Sequence, residues 1–359
     1  MSQPRQGRRI AAIDSMRGVA SLMVACHHFN GALAGDLAWL PVAGRHLLHE
    51  GALGVQIFFV LSGYVIALST EKLEPCLSNV GRFVLRRGTR LDPPYLVSIV
   101  LAVGALAATN WLVPGLQRPL PGPGMLLAHV VYLQNILGYG NLVIVYWSLC
   151  FEVQMYLLYV VLSFLEQRWN AGRDRRQVAL IRVVTWYPLL LVSLLVRYQV
   201  WPLETPGWCL PSWYLFFLGS QVRWVHAGRI SRWELVPSLV LVTALGLPAY
   251  PLEFLAIAAG LATVFWHRPL SRYADLRPLL FLGGISYSLY LIHPIVGGRF
   301  VNLLRRFTGG TFSPAESVAA FVAGVLVSVV AAWLLYRAVE RPTMNLSRRI
   351  RLRRRDATT

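Results

Sequence analysis

Charge is what this 359-residue chain has little of: Asp, Glu, Lys and Arg together make up 14% of it, against 56% hydrophobic residues and a mean hydropathy of +0.52. Soluble globular domains carry about 25% charged residues, so that class is excluded. Acid is scarcer than base, with 16 Asp and Glu against 34 Lys and Arg and a formal net charge of +18. Nucleic-acid binding would gather that excess on one soluble face, whereas here the basic residues lie between apolar runs. Cysteine is also sparse. Cys26, Cys76, Cys150 and Cys209 are scattered and form no C-x-x-C pair, which argues against structural zinc, a disulfide framework or any metal site. Internal repeats and inverted pairs of broken helices, the mark of many transporters, are missing too.

What is present is a series of apolar stretches reaching the ~20 residues that a helix needs to cross a ~30 Å hydrocarbon core. They predict an all-α integral membrane bundle of about ten spanning helices, near 16–34, 51–69, 93–112, 144–165, 179–198, 209–226, 233–248, 251–267, 279–299 and 316–338. Residues 125–139 are too short and too polar to span, and read as an interfacial or re-entrant piece.

With the N-terminus in the cytoplasm, Arg5, Arg8 and Arg9, the cluster Lys72 to Arg90 and the groups at 168–176, 223–232 and 268–277 all fall inside. Only Arg45, Arg118, Arg299, Arg305 and Arg306 fall outside. This asymmetry predicts an even number of spans with both termini cytoplasmic. Residues 1–346 read as one membrane domain and 347–359 as a basic cytoplasmic tail, attracted to anionic lipid at the inner leaflet. Asp14, Arg17, His27, His28 and Asn30 interrupt the first apolar run, which speaks against a cleaved export signal.

Ionisable residues inside spans are costly, and each is a candidate for a site. In the first span Arg17 and His28 are eleven residues apart, about three helical turns, and share a face with an axial offset of ~16 Å. If Arg17 sits at the inner boundary, His28 lies near mid-membrane, with Asp14 on the same face and His27 about 100° away. Ser62 and Gly63 allow close helix approach.

The segment 81–96 reads as a loop ended by Pro93 and Pro94. Its Arg82, Arg86, Arg87 and Arg90 serve either as topology signals or as forks for phosphate. Glu152 shares a face with Tyr156 and must be paired, neutral or lining water. Ser286, Tyr290 and His293 form a polar stripe, which interhelical hydrogen bonding alone could explain. Glu340 closes the last span, as a surface partner or as support for the arginines.

Taken together, these stretches resemble the acyltransferase family 3 membrane proteins. The likeness rests on Asp14-x-x-Arg17-Gly18, the Arg17-x10-His28 spacing, Phe58 to Gly63 and the Arg87-x-x-Arg90-Leu-x-Pro93-x-Tyr95 segment. It extends to Trp147-Ser148-Leu149-x-x-Glu152, Ser286 to His293, and Glu340-x-Pro342. The resemblance implies O-acyl transfer, usually acetyl, from cytosolic acyl-CoA to a hydroxyl of a glycan, lipid-linked sugar or other sugar-containing acceptor. His28 would act as general base, Arg17 would hold the donor, and Asp14 would pair with Arg17. Arg86, Arg87, Arg90 and Tyr95 would bind CoA. Trp147, Ser148, Glu152, Tyr156, Ser286, Tyr290 and His293 would line the acceptor side. The rival class is a transporter or flippase of a glycan or lipid-linked precursor, which also needs many spans and intramembrane charge but consumes no thioester.

Overall fold

The computed structural model describes residues 10–33, 35–113, 115, 117–201, 207–247, 250–273 and 276–353. Expectations for residues 1–9 and 354–359 lie outside them. The described residues are helical throughout, with no strand among them. The helices are α1 (Ala11–Ala32), α2 (Val42–His49), α3 (Gly54–Thr70), α4 (Leu77–Leu112), α5 (Pro123–Val130), α6 (Tyr146–Trp169), α7 (Arg175–Arg197) and α8 (Trp213–His226). They continue as α9 (Val236–Gly246), α10 (Pro251–Phe265), α11 (His267–Tyr273), α12 (Arg277–Ile292), α13 (Gly298–Phe307), α14 (Pro314–Leu335) and α15 (Arg341–Ser347). Two π-helical segments, His293–Gly297 and Tyr336–Glu340, carry α12 into α13 and α14 into α15.

Among the described residues, six helical stretches are long and apolar enough to cross a membrane: Val42–Thr70, Leu77–Leu112, Tyr146–Trp169, Arg175–Arg197, Arg277–Phe307 and Pro314–Ser347. The protein is therefore an integral membrane protein of helical class. Ten spans are more than this criterion finds. The helices α8, α9 and α10 have 14, 11 and 15 residues, or about 21, 16 and 22 Å at 1.5 Å per residue, short of a ~30 Å core. In α1 the polar residues dilute the apolar content.

The segment 125–139 does not span: α5 is 8 residues long and turns follow it. The arginine loop is a correction to the sequence reading. Residues 81–92 are helical and belong to the 36-residue α4, which runs through Pro93 and Pro94. A proline deprives the preceding turn of one backbone hydrogen bond, and membrane helices tolerate this where neighbours fill in. At about 54 Å, α4 is long enough to carry its arginine-bearing first turns beyond the hydrocarbon.

Two crossings fix the centre of the bundle. A Cβ on Gly63 would lie 1.8 Å from the Phe216 carbonyl oxygen, and one on Gly219 would lie 1.9 Å from that of Val60. The helices α3 and α8 therefore touch backbone to backbone, the packing that small residues permit in membranes. Likewise a Cβ on Gly18 would lie 2.6 Å from the Gly283 nitrogen, and one on Gly283 would lie 2.1 Å from the Asp14 oxygen, so α1 lies against α12. Beside them Trp186, Trp213, Phe216, Phe217 and Trp224 form a buried aromatic stack.

Candidate active site

Ten residues beyond the Gly18–Gly283 contact on both helices, α1 presents His28 and the end of α12 presents His293. The His28 Nδ1 to His293 Nε2 distance is 3.0 Å. The two helices thus run parallel and in register, covering about 15 Å from the glycine contact to the histidine contact. His28 Nδ1 also lies 2.9 Å from the Val24 carbonyl oxygen, and His293 Nδ1 lies 2.9 Å from that of Leu289. A carbonyl only accepts, so the network assigns the Nδ1 proton to both rings. His293 Nε2 is then the acceptor facing His28 Nδ1–H, and the basic nitrogen of His28 is Nε2.

His27 points away, its Nδ1 2.5 Å from the His49 carbonyl oxygen. The sequence reading put His293 on the acceptor side; the structure places it, fully buried, behind His28. Pro294 has no N–H to continue the α-helical ladder, and His293 opens a π segment, a form frequent at functional sites.

Three cavities follow one another from α4 to the neighbourhood of this pair, and neither histidine lines any of them. The widest, about 840 Å³, is lined by Arg86, Arg87 and Arg90 of α4 together with Arg223, Arg348 and Arg351. The buried Nε atoms of Arg87 and Arg90 have no hydrogen-bond partner among the described residues. A second cavity of about 290 Å³ shares Arg90 and Arg348 with the first and adds Asp14, Arg17, Ser286 and Glu340. The third, a slot of about 40 Å³, shares Arg17 and Ser286 with the second. It continues past Phe58, Ser62, Ser148, Glu152 and Tyr290. Tyr290 is one turn from His293, and their ring centroids are 6.2 Å apart.

Local bonds hold the slot. Ser148 Oγ lies 2.5 Å from the Tyr290 hydroxyl. Glu152 accepts from Ser62 at 3.1 Å and from the Tyr156 hydroxyl. The Arg87 guanidinium sits 4.0 Å above the Tyr156 ring, a cation–π contact that ties the arginine cluster to the Glu152 wall. Ser286 Oγ donates to the Gly283 carbonyl at 2.9 Å. Glu340 is buried, not a surface partner, and its Oε2 accepts from Ser288 Oγ at 2.6 Å.

Most of the expected residues therefore lie together, and three are placed otherwise than expected. No ion pair joins Asp14 to Arg17 among the described residues; both line the second cavity. Tyr95 lines none of these cavities: it is fully buried, stacked on Tyr132 at 4.6 Å, with its hydroxyl on the His129 carbonyl at 3.1 Å. Trp147 is half-buried against Phe151 and lines no cavity described here. Sequence spacing also missed Arg223, Arg348, Arg351 and Tyr287 as lining residues. Arg223 pairs with Glu71 across α8 and α3, which no one-dimensional pattern reveals.

The fold and site define a helical membrane protein with a basic cavity followed inward by a slot at Tyr290, one turn from a paired histidine. The chain belongs to the acyltransferase family 3: the family model, described as an acyltransferase domain, matches residues 10–337. It is similar to O-acetyltransferase OatA of Staphylococcus aureus, 22% identical over 93% of this chain and 57% of that protein, so it spans little more than half of that relative's length. It is also similar to acyltransferase MdmB of Streptomyces mycarofaciens, 25% identical over 94% of this chain and 92% of that one. A third relative is the putative membrane-bound transacylase BcsY of Komagataeibacter xylinus, 27% identical over 96% and 85%. No solved structure matches.

Proposed function

We propose that this protein is a membrane O-acyltransferase that moves an acyl group, acetyl in the first instance, from cytosolic acyl-CoA to a hydroxyl of a glycan or other sugar-containing acceptor. The observation that carries the reading is the succession of cavities from an arginine-lined mouth, through Arg17, to Tyr290 beside the His28–His293 pair. The names of the relatives supply the reaction class. The wide cavity suits the phosphates of CoA, since guanidinium forks bind oxyanions in pairs. The thinner pantetheine arm would pass Arg17 and Ser286 to bring the thioester to the slot.

There His28 Nε2 takes the proton of the acceptor hydroxyl as its oxygen attacks the thioester carbonyl. The C–S bond then breaks and the thiolate leaves with that proton. His293 positions His28, Arg17 polarises or holds the donor, and Glu152, Ser148 and Tyr290 contact the acceptor. The proposal includes ten traversals, counting short helices and α1, with both termini cytoplasmic in a bacterial inner membrane and the donor mouth on that side. The parallel course of α1 and α12 supports it, because both helices then start from one side.

The test is thioester consumption by the purified protein in detergent with a sugar acceptor. A positioned base contributes ~10²–10⁴-fold, so His28→Ala should lose at least about 10²-fold while His27→Ala keeps most of the rate. Full activity in His28→Ala with loss in His27→Ala would overturn the assignment. A wild-type protein that moves the acceptor but consumes no thioester would be a transporter.

A further inference from the structure

The chain does not stop at the last long helix. From the last residue of α15 the chain turns back, and residues 347–352 contribute to the lining of the widest cavity. Their position is fixed by three hydrogen bonds, two to Asn79 at the start of α4 and one from Glu74 just before it. Asn79 Nδ2 donates to the Arg353 carbonyl at 2.9 Å, the Arg353 amide donates to Asn79 Oδ1 at 2.9 Å, and the Glu74 amide donates to the same carbonyl at 3.2 Å. Asn79 is 2% exposed, so this amide is spent on holding the strap and not on solvent. Ser347, Arg348, Ile350, Arg351 and Leu352 all line the cavity.

A segment that served only to touch lipid headgroups would gain nothing from a buried side chain that reads its backbone at both N–H and C=O. The strap also faces charge of its own sign. Arg348 and Arg351 share the cavity with Arg86, Arg87, Arg90 and Arg223, and Glu71, the lining carboxylate, is already paired with Arg223. Gathering so many cations around one hollow is unfavourable unless an anion of several charges occupies it. The unpartnered buried Nε atoms of Arg87 and Arg90 mark one end of that anion site, deep in the cavity; the strap arginines mark the other, at the rim.

We propose that residues 347–353 form the outer wall of the donor site, and that Arg348 and Arg351 bind the terminal phosphate of a nucleotide whose diphosphate reaches Arg87 and Arg90. In CoA that terminal group is the 3′-phosphate on the ribose, so the strap selects CoA over donors that lack it. This rests on the acyl-CoA reading above. It makes the basic tail a part of the binding site in place of a membrane anchor.

The experiment is titration of the full-length protein in neutral detergent with CoA and with dephospho-CoA, comparing wild type, Arg348→Ala/Arg351→Ala and Asn79→Ala. Melting temperature in the same detergent reports an intact fold. The expected result is tighter binding of CoA than of dephospho-CoA by wild type, by about tenfold or more, the scale of a charge-assisted contact. The double variant should lose that preference while its dephospho-CoA affinity changes little, and Asn79→Ala, with both arginines present, should lose it too. Wild type that binds CoA with the same preference as the double variant would overturn the strap's role and leave the donor reading standing. Wild type that binds no CoA would overturn both.

Discussion

Replacing His293 by Leu tests the histidine pair at its least obvious member. Leucine fills similar apolar volume at this fully buried position but offers no acceptor to His28 Nδ1–H, which loses one of two partners. The other, the Val24 carbonyl at 2.9 Å, remains. The tautomer that leaves Nε2 basic therefore survives, and the loss should stop short of the ~10⁴-fold seen where a triad loses its tautomer. What goes is a hydrogen bond worth ~0.5–1.5 kcal/mol and the hold it keeps on the ring, where a displacement of ~1 Å can cost ~10²-fold. The expected fall in kcat is about 10–100-fold, equivalent to ~1.4–2.7 kcal/mol in the barrier. KM for acyl-CoA should not move, because His293 lines none of the donor cavities. His293→Gln, whose Oε1 can accept from His28, should recover most of the rate. Thiol release followed across acyl-CoA concentrations separates kcat from KM. A Leu variant at the wild-type rate, or Leu and Gln variants equally slow with raised KM, would refute the positioning role.

Gly219→Ala places a Cβ 1.9 Å from the Val60 carbonyl oxygen, so the α3–α8 crossing must open; overpacking of this kind costs ~1–3 kcal/mol or more, and an unchanged melting temperature in detergent would disprove the contact. Tyr95→Phe removes one buried hydrogen bond to the His129 carbonyl and should cost about 1 kcal/mol of stability with no change in CoA affinity; weakened CoA binding would return Tyr95 to the donor site. At the opposite end, burial pushes the Asp36 carboxyl up, but the Phe312 amide at 3.0 Å and Arg305 at 2.5 Å outweigh it and hold it below the usual range. The ionised group therefore stabilises the fold above the unfolded value of about 4, and that contribution disappears as pH falls through the lower folded value. The melting-temperature gap between wild type and Asp36→Asn should shrink from pH 7 to pH 3; a constant gap would contradict the assignment.

The sequence reading succeeded where chemistry and helical period coincide. Arg17 and His28 share one continuous helix, and the stripe Ser286, Tyr290, His293 does run along the inner side of α12, because both are local relations that a 3.6-residue period captures. It failed where the answer depended on another part of the chain. Pro93 and Pro94 signal a helix start in water, but in a membrane bundle α4 passes through them, and the arginines come to sit on its first turns. Tyr95 follows that motif closely, yet its hydroxyl is taken by a carbonyl 34 residues away. Composition marks the basic tail but says nothing of Asn79, 274 positions from Arg353 in sequence, which holds its backbone. Helix length and composition find six of the ten expected spans, since α8, α9 and α10 have 14, 11 and 15 residues.

The register of α1 against α12 explains why one short motif on each helix suffices to build the site. The glycine contact and the histidine contact are separated by ten residues on both helices, 18 to 28 and 283 to 293. Parallel helices locked in this way transmit position without slippage: a shift of one residue in either would move the imidazoles apart by about 1.5 Å along the axis and break a 3.0 Å contact. Arg17, one residue before Gly18, and Ser286, three residues after Gly283, line both the second cavity and the slot, and Tyr290, further along α12, lines the slot. The same pair of helices thus sets both the inner cavities and the histidine pair beside them. The small residues at the crossing are therefore part of the site's geometry, since a Cβ at Gly18 or Gly283 would collide with the partner helix's backbone and push α1 and α12 apart.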